Sequence, residues 1–552
     1  MKKDLVLLLL LILPAFAPLV QRGYFSMHDD MQSIRQQKMD QCLVDLQFPC
    51  RWSLDLGYGY GYPLFNYYPP LPYLIGQPFR WLGFQYIDVV KSVGVLGFIT
   101  AAASMYFLGR EFWGRLGGLV AAAFYTYAPY HSVDFYVRGA MNEFWALALF
   151  PAIFYFSYKL IHDGAKYIPL VAISVAGLML SHNPILMIFA PVLVIWCLFW
   201  TFKFRSISSI RSIRNLFFSA LWALGLAAFF TLPVLFETKF VSVWTLTAGY
   251  FNYLAHFLDL NQIFLRINWG YGESVYGRGD TMSFALGYLH WIIPAIILVL
   301  LPFTKNLKKH FSLVLFFALG TLSFLFMSHF KATPIWKAFP PLEFLQFPWR
   351  FLTISIFAAS FLSGAIALII SKRTLIILVC LVILINSNYF HPRQWYPDMT
   401  DTKKFSGKSW QLLITSGIFD YLPIWAPQPP ADPALEDIKF VAGDGIYSTL
   451  VKKSNRQEYL ITTWTPTAVA ELQTYYFPGW KIWVDGKEVT IDPSRDKILG
   501  RMQVDLSPGK HTVTARLTNT PIRTIGNILS TISWSLLLFL GFRGRRHRSI
   551  TL

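Results

Sequence analysis

MKKDLVLLLLLILPAFAPLV, residues 1–20, gives way almost at once to SMHDDMQSIRQQKMDQC, residues 26–42. The leucine-rich run from 4 to 20 is as long as a crossing of the bilayer's hydrocarbon requires, about 17–25 residues. Two adjacent carboxylates, Asp29 and Asp30, follow where the chain leaves it. The fold is decided by whether this run is one crossing among many.

Comparable apolar runs recur at roughly 88–108, 116–132, 143–159, 167–182, 184–202, 216–235, 285–303, 311–328, 350–371, 373–389 and 526–542, which predicts about twelve transmembrane helices. Composition agrees: 55% hydrophobic and 14% charged residues, with mean hydropathy +0.44, describe a polytopic α-helical membrane protein. The net charge of +18 is spread in short clusters between apolar runs, as orientation signals are. No nucleic-acid recognition motif accompanies it, so nucleic acid is not an expected partner.

With a cytoplasmic N-terminus, alternate connections carry Lys2 and Lys3; Arg110 and Arg115; Lys159 and Lys166; Lys203, Arg205, Arg211 and Arg214; Lys305, Lys308 and Lys309; Lys372 and Arg373; and Arg543, Arg545, Arg546 and Arg548. Each is a short basic loop or tail, as the positive-inside rule asks. The expected location is a bacterial-type plasma (inner) membrane, multi-pass, with both termini cytoplasmic. The segments left outside are about 21–87, 133–142, 181–184, 236–284, 329–349 and 390–525. The first run also has the pattern of a secretory signal, with Ala15-Phe16-Ala17 resembling a cleavage site. Pro18 directly behind it would hinder cleavage, and an uncleaved anchor is expected; either outcome puts Asp29 outside.

Three parts follow: a transmembrane domain over 1–389, an extracytoplasmic mostly-β domain over 390–525, and a final helix with a basic tail over 526–552. Within the second, LQTYYFPGWKIWVDGKEVTIDPSRDKILGRMQVDLSPGKHTVTARL alternates apolar and polar residues between Pro478-Gly479, Asp485-Gly486 and Pro508-Gly509. That pattern reads as antiparallel strands of a small β-sandwich. Tyr475, Tyr476, Trp480 and Trp483 either stack on sugar rings or fill the sandwich core. Cys42 and Cys50 lie close together in the first external loop, where an oxidising compartment permits a disulfide.

The polar residues that interrupt apolar surroundings gather at the external ends of spans: Asp29 and Asp30; Arg138 and Glu143 in YVRGAMNE; His182 and Asn183 in SHNP; and Glu343, Gln346 and Arg350 in LEFLQFPWR. Ionisable groups at membrane depth are costly and face a protein interior or a wet cavity, so each is a functional candidate. Each also has a structural reading. The aspartates suit a helix N-terminus, Arg138 and Glu143 suit an internal pair, His182 suits a cap of the next helix, and Arg350 suits an anchor at the headgroups.

An anchored first span, a long external loop bearing an acidic residue, many further spans and a C-terminal external β domain together resemble the membrane-integral glycosyltransferases of the GT-C fold. More closely, MHDDMQSIRQQ, GYGYPLFNYYPPLPYLIG, YVRGAMNEFWALALFP, SHNP, LQFPWRFL and DYLPIWAP are similar in type and order to bacterial multispanning proteins known as 6-pyruvoyl-tetrahydropterin synthase-related membrane proteins. FPGWKIWVDGK and SPGKHTV resemble the YfhO-like membrane proteins. The synthase in the family name does not carry over, because no compact set of histidines suited to zinc is present.

The GT-C resemblance implies inverting transfer of a hexose or pentose from a polyprenyl-phosphate donor to an extracytoplasmic glycan, lipid or protein of the cell envelope. It implies Asp29, with Asp30 beside it, as the catalytic base or as ligands of a divalent metal such as Mg or Mn. Arg138 and Arg350, with His182 and Asn183, would hold the leaving phosphate, and Glu143 and Gln346 would orient them. Tyr67 and Tyr68, within FNYYPPLPY, would wall the sugar. The bare Asp-Asp pair departs from the spaced acidic motif of nucleotide-sugar metal sites, and no internal loop is long enough for a nucleotide-binding domain. A transporter or flippase of lipid-linked saccharides is the alternative, and a non-catalytic envelope-assembly protein a third; no internal repeat of the kind common in transporters is visible.

Overall fold

The computed structural model describes residues 2–549 apart from 205–207, 267 and 278. Arg205 therefore lies outside the described residues, as do the side chains of Arg543, Arg545, Arg546 and Arg548. Two compact units interleave along the chain. One comprises Met1–Gln32, Trp81–Ala223 and Thr247–Thr400; the other comprises Ser33–Arg80, Leu224–Leu246 and Asp401–Leu552.

Among the described residues, nine helices are long and apolar enough to cross a membrane: Lys2–Val20, Tyr86–Thr126, Met141–Asp163, Asn183–Lys203, Ile210–Phe240, Phe311–Ser328, Pro348–Leu368, Lys372–Tyr389 and Pro521–Gly541. Set against the expected figure of about twelve, one of these helices carries two of the predicted runs and two further runs form shorter helices. The runs 88–108 and 116–132 share Tyr86–Thr126, which folds back at Gly114, where φ is 75° and a side chain would be strained. Its arms touch through small residues: a Cβ on Gly118 would meet the Tyr106 carbonyl oxygen at 2.7 Å. The runs 167–182 and 285–303 yield only Ala165–Met179 and Tyr288–Leu300. Tyr288–Leu300 has 13 residues, and at 1.5 Å per residue it is about 20 Å long, short of the hydrocarbon thickness.

The first unit has two chemically distinct ends. At one, Arg115 donates to Asp4 at 2.7 Å, Lys159 pairs with Glu111 at 3.2 Å, Lys203 donates to Ser312 at 2.9 Å and Trp113 packs on His310. These partners come from segments in or beside the predicted basic loops. At the other end, β1 (Tyr24–Phe25) pairs antiparallel with β2 (Trp395–Tyr396), and the His28 and Asp29 amides donate to the carbonyls of Val137 and Arg138. Tyr127 and Tyr136 fasten the first helix by donating to the Leu11 and Ala15 carbonyls, both at 2.8 Å.

The second unit is built on a β-sandwich. Strands β3 (Ile438–Ala442), β6 (Ala468–Tyr475) and β9 (Arg501–Leu506) form one antiparallel sheet, in the order β3-β6-β9. Strands β4 (Gly445–Lys453), β5 (Arg456–Thr463), β7 (Trp480–Val484), β8 (Lys487–Val489) and β10 (Gly509–Leu517) form the other, in the order β4-β5-β10-β7-β8. The Asp485-Gly486 turn joins β7 to β8, with Val484 opposite Lys487. Alternation puts Leu472, Ile461, Ile482 and Val513 in the shared core. Residues of the first loop complete it: Trp52 packs edge-on against Trp480, ring centroids 5.6 Å apart.

Of the two readings of the aromatics, the core holds for Tyr475 and Trp480, which are 0% and 3% exposed. Tyr476 packs on Trp425 and Trp483 lies beneath Arg516. Cys42 and Cys50 are joined by a disulfide.

Candidate functional site

After Thr126 the chain turns through Pro129–Ser132 and then takes a π-helical turn over Val133–Val137. Such turns are frequent at functional sites, because one wider turn re-aims the side chains that follow it. Here the Arg138 amide donates to the Val133 carbonyl at 2.8 Å. Tyr130, Asp134 and Arg138 are four residues apart and lie on one face, directed at Glu143 in the first turn of Met141–Asp163.

Glu143 is the hub. Tyr130 donates to its Oε1 at 2.6 Å, and Oε2 accepts from Arg138 Nη2 at 3.1 Å and from Arg350 Nε at 3.2 Å. His182 Nε2 lies 4.0 Å from the same oxygen. Arg350 is aimed by its own neighbours: Nη1 donates to the Leu345 carbonyl at 2.6 Å and to Gln346 Oε1 at 3.0 Å. Arg138 also pairs with Asp134, and its guanidinium lies over the Trp349 indole, 4.5 Å from the ring centroid. Asn142 donates to the Ser181 carbonyl at 3.0 Å, tying the tip that bears His182 to the same place.

The charges follow from burial. Burial and the nearby Glu143 raise the Asp134 carboxyl well above the ordinary carboxylate range, against the pull of Arg138 and Arg350. Burial works against charge on Arg138, but Glu143, Tyr130 and Asp134 hold it above its ordinary value. Burial, then Arg350, pushes His182 down to about 3, so it is neutral at pH 7. While Asp134 is ionised the two carboxylates balance the two arginines, and once it takes a proton one positive charge is left uncompensated, a setting suited to an anion.

The structure thus brings Arg138, Glu143, His182, Gln346 and Arg350 together from three separate parts of the sequence. Asp29 lies beside them through its amide, which donates to the Arg138 carbonyl at 2.9 Å. Its carboxylate accepts from Gln32 Nε2 at 3.0 Å, and the same amide group donates to the Gly139 carbonyl. Asp30 occupies the same turn, ahead of the helix Gln32–Val44. His182 caps Asn183–Lys203 by accepting from the Ile185 amide, and Asn183 opens that helix. Among the described residues, no group of three or more His, Cys, Asp or Glu is placed to hold a metal.

Tyr67 and Tyr68 belong to the other compact unit. Tyr67 is a core residue there, 2% exposed, with its hydroxyl on the Glu237 carbonyl, and Tyr68 accepts from Arg35. The sequence reading missed Tyr130, Asp134 and Trp349, although the four-residue spacing of Tyr130, Asp134 and Arg138 was a usable signal.

No curated protein matches the chain. A family profile described as 6-pyruvoyl-tetrahydropterin synthase related domain, membrane protein, matches residues 65–391, which include every arginine and carboxylate of the Glu143 cluster. The chain is a membrane protein that belongs to the 6-pyruvoyl-tetrahydropterin synthase-related family.

Proposed function

We propose that the protein is a membrane-integral glycosyltransferase that moves a sugar from a polyprenyl-phosphate donor to an extracytoplasmic acceptor. One observation carries the reading: two guanidinium groups far apart in sequence share the carboxylate of Glu143, beside the turn that bears Asp29 and Asp30. Guanidinium groups suit a phosphate leaving group because they meet its oxygens through paired N–H donors. In the reaction, the acceptor oxygen attacks the anomeric carbon and gives its proton to Asp29. The bond from that carbon to the phosphate oxygen breaks with inversion, and the charge developing on the phosphate falls to Arg138 and Arg350.

Glu143 orients both arginines and stays out of the bond changes. The basic loops lie at the end of the unit opposite to Asp29, and under the positive-inside rule this supports a site on the extracytoplasmic side. The test is incubation of the purified protein, in lipid nanodiscs, with a panel of polyprenyl-phosphate sugars. Donor consumption that depends on Asp29 supports the reading. Vectorial movement of an intact lipid-linked saccharide without consumption would replace it with a flippase.

A further inference from the structure

The Glu143 cluster holds two carboxyls in very different circumstances. Glu143 is surrounded by donors: Tyr130, Arg138 and Arg350, with His182 close by. Asp134 is 0% exposed, and only its Oδ1 is engaged, by Arg138 Nη1. Its Oδ2 has no hydrogen-bond partner among the described residues. A buried carboxylate with one dry oxygen stays ionised only while its cation stays beside it. The groups around it are Arg138 and Tyr130 on its own segment, Glu143, Arg350, His182, Tyr125 at the end of the preceding helix, and Asp29 in the turn whose amides donate to the Val137 and Arg138 carbonyls.

We infer that Asp134 is the carboxyl that a phosphate displaces from Arg138, so that binding one phosphodiester anion carries one proton into the site. The inference rests on the lipid-phosphate reading above and adds to it which group yields and what accompanies the ligand. The exchange balances: a phosphate oxygen takes the Arg138 Nη1 donor, Asp134 loses its cation, and a proton from solvent binds the carboxylate. The site's charge is the same before and after, since one anion and one proton enter together. Glu143 does not take this role, because Tyr130 and Arg350 still satisfy it when Arg138 turns to the ligand. Burial, which raises the Asp134 carboxyl, favours the protonated product.

The test uses the full chain in nanodiscs and methyl citronellyl phosphate, a diester. A monoester is avoided because its own second proton leaves near pH 6. Calorimetric titration between about pH 5 and 9, in two buffers of different ionisation enthalpy, gives affinity and protons taken up per anion. Above the pH at which Asp134 ionises in the free protein, affinity should fall about tenfold per unit of pH with about one proton taken up. Asp134→Asn should bind with a flat pH profile and no uptake. Wild-type binding without uptake at any pH, or a variant that keeps the wild-type slope, overturns the displacement and leaves the phosphate reading standing. No binding of the diester at any pH overturns both. If Asp134→Asn does not fold, the wild-type proton count decides alone.

Discussion

Two buried glutamates, one in each compact unit, each accept from an arginine distant in sequence, and they do different work. Glu143 begins a helix and Glu237 ends one, Ser208–Glu237. A carboxylate is favoured at a helix N-terminus and disfavoured at a C-terminus, so Glu237 needs compensation where it sits. It has it: Arg523 Nε donates to its Oε2 at 2.9 Å, Asn66 to the same oxygen at 3.0 Å, and Thr520 to Oε1 at 2.5 Å. Arg51 joins through Asn66 and Asn527, and burial, with the charge of Arg523, pushes it down to about 9. The Arg523 side chain is 0% and that of Glu237 2% exposed, whereas Arg138 keeps 11% and His182 14%. A buried Arg–Glu pair is therefore no mark of function by itself. What distinguishes the Glu143 cluster is that its outer members remain reachable and one of its carboxyls is half satisfied.

The sharpest way to break this comparison is Glu237→Ala. It removes the carboxylate partner of the buried Arg523 guanidinium, and removing one partner of a buried pair costs about 3–5 kcal/mol. We expect a variant that melts far below the wild type or fails to accumulate in the membrane. A wild-type melting curve would show that the second cluster is not a clamp.

Asp29→Asn comes next. A general base contributes about 10²–10⁴-fold in rate, so turnover of a polyprenyl-phosphate sugar should fall by that factor while the melting temperature holds. Asp30→Asn should cost less. Single variants that both keep full turnover would end the catalytic reading of the pair. Arg350→Lys should follow, with about a 10²-fold loss of turnover. A lysine keeps the charge but cannot serve Glu143, the Leu345 carbonyl and a phosphate in one plane. Unchanged kinetics in Arg350→Lys would mean that the planar fork is not used.

Much of this was legible in the sequence, and the reasons are physical. Apolar run length marks a span because the bilayer imposes one length on every crossing, and basic loops mark one end because the charge asymmetry acts on each loop. The polar residues at span ends stood out against apolar surroundings, which is why Arg138, Glu143, His182, Gln346 and Arg350 were found before their partners were. Gly114 was not legible as a turn, since nothing in GREFWGRLGGLV says which glycine takes the positive φ. Tyr67 was misread for a related reason. Hydrophobicity and aromatic content cannot tell a ring that walls a ligand from one that fills a core, and the strands that bury Tyr67 lie hundreds of residues away. Asp134 escaped because its segment, VDFYV, falls in the stretch 133–142 read as a short external loop, where an aspartate needs no explanation.

The smallest effect belongs to His182, and it tests whether the open cluster binds through arginine alone. Its Nδ1 accepts from the Ile185 amide at 3.2 Å, so the proton of the neutral ring sits on Nε2, facing Glu143. A histidine held down to about 3 in the fold, against about 6.5 when unfolded, takes its proton first in the unfolded chain as pH falls. Its contribution to stability is complete above about pH 6.5 and is lost as pH drops toward 3, by at most about 1.4 kcal/mol per unit. Asparagine also caps helices well and does not titrate. His182→Asn should therefore melt close to the wild type at pH 7.5 and lose less stability than the wild type on acidification to pH 5. Parallel acid curves would mean that His182 takes its proton in the fold as readily as in the unfolded chain, which would return it to the phosphate as a third cation in acid.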